Sequence, residues 1–189
     1  MPSHGLAALD DEPEGDSGSR VIHLREEVSS AAANRIVLEL LQHASASEEI
    51  PIHMFINSPG GSVIAGLSII DTMRHIGAPV FTYAIGLAAS MGAVVLTSGE
   101  KGHRYILPHS RVMIHQASGV AEGSMDDIRS AFALHCALES EIEGILSRTT
   151  GKSVDEIRLA SRVDNWLKAE DAVAFGLVDH VLDVHPSKL

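Results

Sequence analysis

Gly86-Leu87-Ala88-Ala89-Ser90-Met91-Gly92 sets one hydroxyl in an uncharged turn of small residues, and the apolar run Ala93-Val94-Val95-Leu96 follows at once. Such a pattern presents a serine at the start of a buried helix. Bare amides there favour developing negative charge, and small neighbours admit close approach. A serine hydroxyl is a weak nucleophile at neutral pH and needs a base, itself oriented by a third group. Taken alone, the segment is equally an ordinary Ala/Ser-rich helix start.

The chain has eleven histidines, so a histidine somewhere proves nothing. His115 differs in position. It ends the short apolar strand Val112-Met113-Ile114 and precedes a loop rich in small residues, which suits a general base held rigidly yet facing a loop. The other ten read as surface, edge or partly buried residues without paired metal-ligand spacing. The single cysteine, Cys136, rules out a Cys/His zinc knuckle. No metal or other cofactor is called for, since three side chains and two amides suffice for acyl transfer. Asp164, in Ser161-Arg162-Val163-Asp164-Asn165-Trp166-Leu167, lies in a loop that Trp166 and Leu167 are expected to tie down. On pattern alone it reads as a turn or cap residue.

Apolar periodicity supplies the elements that must position these groups. A strand is expected over 21–24, then a helix capped by Ser30 and running to about His43, with Ile36, Val37, Leu40 and Leu41 on one face. Strand 52–56 runs into Asn57-Ser58-Pro59-Gly60-Gly61-Ser62, a sharp turn in which Ser62 caps helix 63–74. A plain turn explains Pro59-Gly60 but gives the second glycine, Gly61, no reason. Strand 80–85 leads to the Ser90 helix, and strand 111–115 ends at His115. A long helix covers about 125–149, opened by Ser124 and stopped by Gly151. At 1.5 Å per residue it spans roughly 37 Å, more than a core of this size needs. One end therefore projects, or the helix lies across its own domain. Ser153 to Glu156 is a capping box, helix 169–175 stops at Gly176, and 177–182 makes a last strand. Strands alternating with helices mean an α/β protein.

Composition narrows the class. With 189 residues, 45 % of them hydrophobic, the chain forms one domain with a real core. No apolar run approaches a membrane span, and the N-terminus lacks the pattern of a secretory signal. One cysteine fits a reducing compartment, hence the cytoplasm. A net charge of −11 argues against nucleic acid as partner. Asp10, Asp11, Glu12, Glu14 and Asp16 make residues 1–19 an acidic tail that reads as disordered, ahead of a folded domain over 20–189.

Four motifs in order carry a resemblance: Asn-Ser-Pro-Gly-Gly-Ser at 57–62, Gly-Leu-Ala-Ala-Ser-Met-Gly at 86–92, Leu-Pro-His-Ser-Arg-Val-Met-Ile-His-Gln at 107–116, and Ala-Val-Ala-Phe-Gly-Leu-Val-Asp at 172–179. Together they resemble the Clp protease proteolytic subunit along residues 50–183. The resemblance implies a crotonase-like α/β fold, a spiral of β-β-α units, with a projecting handle over about 116–150 that opens on a strand at 117–123. It implies Ser90 as nucleophile, His115 as base and Asp164 as orienting acid, with the amides of Gly61 and Met91 as oxyanion hole. It further implies heptameric rings, one or two stacked, an AAA+ unfoldase or a second subunit of the same type as partner, and unfolded polypeptides as substrates of a serine endopeptidase. The order Ser, His, Asp and the lack of a G-x-S-x-G elbow disfavour an α/β-hydrolase.

The sequence also departs from the family. An acidic tail stands where an apolar N-terminal motif is usual. Positions usually aromatic in the dock for the ATPase carry His53, Phe55 and His75, and the usual arginine before the triad aspartate is Val163. Two rivals stay open: a non-catalytic subunit of a mixed ring, and a crotonase-fold CoA-ester enzyme. The latter would want a carboxylate at the amide pair and has no use for the Ser90, His115, Asp164 set.

Overall fold

Alternating strands and helices do form, and the register of the strands delivers residues distant in sequence to one place. The computed structural model describes residues 20–182; the acidic segment expected to be a mobile tail lies outside the described residues. In chain order the elements are β1 (Val21–Leu24), α1 (Ser30–Ala46), β2 (Ile52–Ser58), α2 (Val63–His75), β3 (Val80–Ala89), α3 (Met91–Thr97), β4 (Arg104–Ile106) and β5 (Arg111–Ile114). They continue with α4 (Met125–Thr150), α5 (Val154–Ala160), β6 (Asn165–Lys168), α6 (Ala169–Phe175) and β7 (His180–Val181).

The sheet runs β1-β2-β3-β4-β7, all parallel, with β5 parallel to β3 and β6 antiparallel to β5. Beyond β2, β3 serves two neighbours on its other edge because it is long and bends. Thr82–Ala84 pair with β4, Gly86 takes φ 79°, and Leu87–Ala89 pair with β5. A strand ending at 85 was expected; it instead continues through the glycine and stops at Ser90. β4 and β6 were not anticipated at all, being only three and four residues long.

One sheet face packs on the helices through Ile22, Leu24, Ile52, Met54 and Ile56 with Ile36, Leu40, Ile69 and Ile70, all fully buried. The other face carries a row of rings rather than a second helical layer. Phe55 stacks on Tyr83 at 4.6 Å, Tyr83 on Tyr105 at 5.0 Å and Phe81 on His103 at 3.9 Å, with His23 and His180 at the ends. His53 and Phe55 belong to this face, whereas His75 is exposed in the last turn of α2.

One helix cap differs from expectation. The cap of α1 is Ser29, not Ser30, since Ser29 has the extended backbone and accepts from the Ala32 N–H. Helix α4 is closed by the Ser124–Asp127 capping box and by Gly151 at φ 79°. Its buried residues are Glu143, Ile145 and Leu146, all in the C-terminal part, while Phe132 and Leu134 nearer the start are 66 % and 53 % exposed. Residues 117–123 form no strand. The last strand is two residues long instead of six. No helix of the described residues is long and apolar enough to cross a membrane.

Candidate active site

Ser90 sits where β3 ends and α3 begins. Its amide donates to the Met113 carbonyl at 2.8 Å, tying the turn to β5. Among the described residues it is the one non-glycine with φ in the left-handed region, at φ 52° and ψ −124°. A non-glycine held there stores about 1–3 kcal/mol of strain, which persists only where surroundings impose it. The side chain makes no capping bond to the helix it opens. Its Oγ points instead to His115 Nε2, 2.9 Å away.

His115 follows the last residue of β5, one position beyond the strand, and its other ring nitrogen, Nδ1, lies 3.0 Å from Asp164 Oδ1. The register explains the meeting. Antiparallel β5 and β6 pair Ile114 with Asn165, so the next step along the ladder sets His115 beside Asp164. The Gln116 amide, donating to the Ser161 carbonyl at 2.7 Å, secures the far side. Because an ionised carboxylate only accepts, Nδ1 carries the proton and donates it to Asp164, and Nε2 accepts from the Ser90 hydroxyl. Leu167 is buried as expected of an anchor, but Trp166 is 55 % exposed. The Asp164 side chain is itself 61 % exposed, against 28 % for His115.

Gly61 and Met91 line one cavity with Ser90 and His115. Neither the Gly61 nor the Met91 N–H donates to another group among the described residues. The turn between β2 and α2 is pressed onto the Ser90 turn. A Cβ on Gly60, whose φ is 96°, would stand 2.6 Å from Ser90 Cβ and 2.9 Å from the Met91 nitrogen. At Gly61, whose φ is 145°, a Cβ would instead stand 2.7 Å from the Val28 carbonyl oxygen. This reverses the sequence reading: Gly60 needs the site to explain it, and Gly61 has a structural reason of its own.

Sequence reading missed the supports behind these groups. Buried Ser58 donates to the Glu26 carbonyl at 2.6 Å and accepts from the Gly60 amide at 3.2 Å. Asn57 Oδ1 accepts from the Leu87 amide, and Ser110 Oγ from the Gly86 amide at 2.8 Å, fixing the bend in β3. Ser58 and Ser110 were visible only as polar residues at buried strand or turn positions, a signal that needs the register to be known. Beside Ser90 opens a cavity of about 80 Å³ lined chiefly by Val63, Met91, Val94, Ile114, Ile142 and Leu146.

A hydroxyl, an imidazole and a carboxylate in hydrogen-bonded series, beside a cavity that Gly61 and Met91 also line, make an arrangement suited to acyl transfer. Comparison with known proteins narrows the class. The Clp protease family profile matches residues 17–185. The chain is 45 % identical over 163 residues to ATP-dependent Clp protease proteolytic subunit 2 of Chlamydia trachomatis, covering 86 % of this chain and 80 % of that one. It is 46 % identical over 169 residues to proteolytic subunit 1 of Prochlorococcus marinus, covering 89 % and 86 %. The chain belongs to the Clp protease family, and its mostly parallel α/β architecture is the crotonase-like fold.

Proposed function

We propose that the protein is the proteolytic subunit of an ATP-dependent protease, a serine endopeptidase that cleaves unfolded polypeptides in the cytoplasm. The observation that carries this reading is the series Ser90 Oγ, His115 Nε2, His115 Nδ1, Asp164 Oδ1, closed at 2.9 and 3.0 Å. Ser90 Oγ attacks the peptide carbonyl carbon while His115 Nε2 takes the hydroxyl proton. The carbonyl oxygen becomes an oxyanion held by the Gly61 and Met91 amides, and loss of such a donor costs about 10²–10³ in rate. Collapse breaks the C–N bond, and His115 returns the proton to the leaving amine. Water, deprotonated by His115, then hydrolyses the Ser90 ester and regenerates the hydroxyl. Asp164 holds the imidazole in the tautomer that both halves need.

In this reading residues 20–189 are the peptidase domain and 1–19 a tail outside it. Subunits assemble into heptameric rings, stacked or single, and work with an AAA+ unfoldase or a second subunit of the same type. A fluorophosphonate probe tests the chemistry directly. Labelling confined to Ser90, abolished in Ser90→Ala together with on the order of 10⁴–10⁶ of kcat, is the expected result. An unlabelled but folded protein would favour a non-catalytic ring member or a CoA-ester enzyme.

A further inference from the structure

Gly66 lies in the interior of α2, where glycine is less favourable than alanine and where its backbone has ordinary helical geometry. Conformation therefore does not require it, but space does. A Cβ at Gly66 would overlap Met91 Cγ and stand 2.6 Å from its Cε and 2.9 Å from its Sδ. Met91 is 2 % exposed, follows Ser90 directly and carries one of the two unpaired amides. Helix α2 in turn begins just after the turn that carries the other, at Gly61.

We infer that Gly66 is a positioning residue for acyl transfer: its missing side chain is the seat into which Met91 drops, and that seating sets the direction of the Met91 amide beside Ser90. The inference rests on the peptidase reading for its kinetic consequence, but its geometric content stands apart from it. The cluster is closed. Met91 also lines the cavity beside Ser90, so the open space for a displaced thioether is the cavity itself. A methyl at position 66 thus turns the amide from the oxyanion and fills the space next to the reacting bond. Misplacing a reacting group by about 1 Å can cost on the order of 10²-fold.

The test compares wild type, Gly66→Ala, Gly66→Ala/Met91→Ala and, as a control, Gly144→Ala. Gly144 is a second helical glycine, in α4, whose nearest neighbour is the mobile end of Arg148 at 3.3 Å. The readouts are the rate of fluorophosphonate labelling at Ser90, kcat and KM on a peptide, thermal melting, and the methionine methyl NMR spectrum. Gly66→Ala is expected to slow labelling and kcat at least tenfold and to move the Met91 methyl signal. The double variant, which removes the obstructing thioether but keeps the amide, is expected to recover most of the rate. Gly144→Ala should label at the wild-type rate. If Gly66→Ala fails to fold, the double variant decides: recovered fold with recovered labelling upholds the seat, and recovered fold without labelling overturns it. Wild-type labelling by Gly66→Ala, or an unmoved Met91 methyl, overturns it as well. A wild-type protein that never labels counts against the peptidase reading, and the methyl spectrum then judges the seat alone.

Discussion

His115 and Asp164 meet at 3.0 Å, yet the carboxylate is more than half open to water. Its value to the imidazole is orientational before it is electrostatic, because solvent screens an exposed charge. Asp164→Asn keeps the shape and can keep a contact, but an amide stabilises no imidazolium and does not enforce the same tautomer. We expect a folded variant with an unchanged melting temperature and kcat lower by on the order of 10³–10⁴. Peptide turnover beside thermal melting checks this. Activity within a factor of ten of wild type would show that the exposed carboxylate does not orient the base.

Among the elements, the short pair β4 and β7 is held by one ionic joint. Arg104 Nε and Nη2 donate to Asp179 Oδ2 and Oδ1 at 2.8 and 2.6 Å, and the Gly102 and Arg104 amides donate to the same carboxylate. The guanidinium also reaches the Thr97 and Thr149 carbonyls, so α3 and α4 share the joint. Burial would raise the Asp179 carboxyl, but the bonds from Arg104 and Gly102 outweigh it and hold the group below its ordinary range. A depressed native value means that the joint stabilises the fold fully above the unfolded carboxylate range and loses that contribution as pH falls through the native value. Melting temperature should therefore fall as pH drops below about 4, and less steeply in Asp179→Asn, which starts less stable. Parallel curves for the two proteins would show that the joint is not what acid breaks.

The same element scale marks how far the sequence was legible. Apolar periodicity located α2, α4 and α6 almost to the residue, because caps at Ser62, Ser124 and Gly176 punctuate strong patterns. β4 and β6 were invisible, since three or four residues held by a neighbour need no pattern of their own. For that reason Asp164 looked like a turn residue: its meeting with His115 is a property of β6 register, not of local spacing. Gly66 went unremarked because its reason is a methionine from another element.

At the scale of the whole molecule, apolar groups remain uncovered. Phe132 and Leu134 on α4 and Leu159, Val163 and Trp166 around Asp164 are each more than half exposed. Such groups are worth burying at about 25 cal/mol per Å², which favours self-association. Val163 offers no charge to a facing subunit, and a charge-assisted contact is worth roughly 1.5–3 kcal/mol each time symmetry repeats it. The expected outcome is rings that persist on dilution while ring-to-ring stacking weakens, with activity following assembly. Sedimentation velocity across a dilution series, read beside peptide turnover, checks it. A fourteen-subunit particle intact at nanomolar concentration would show that other contacts hold the two rings together.

The direction of synthesis gives the Arg104–Asp179 joint one more meaning. Ser90 and His115 are 25 residues apart and can meet early. Asp164 arrives 49 residues after His115, and the aspartate that locks β4 comes 75 residues after its arginine. A growing chain therefore holds Ser90 and His115 before it can orient them, and the sheet closes only when the final strand leaves the ribosome. Under the proposed peptidase reading, competence is thus a late event in the making of the chain, timed by residue order itself.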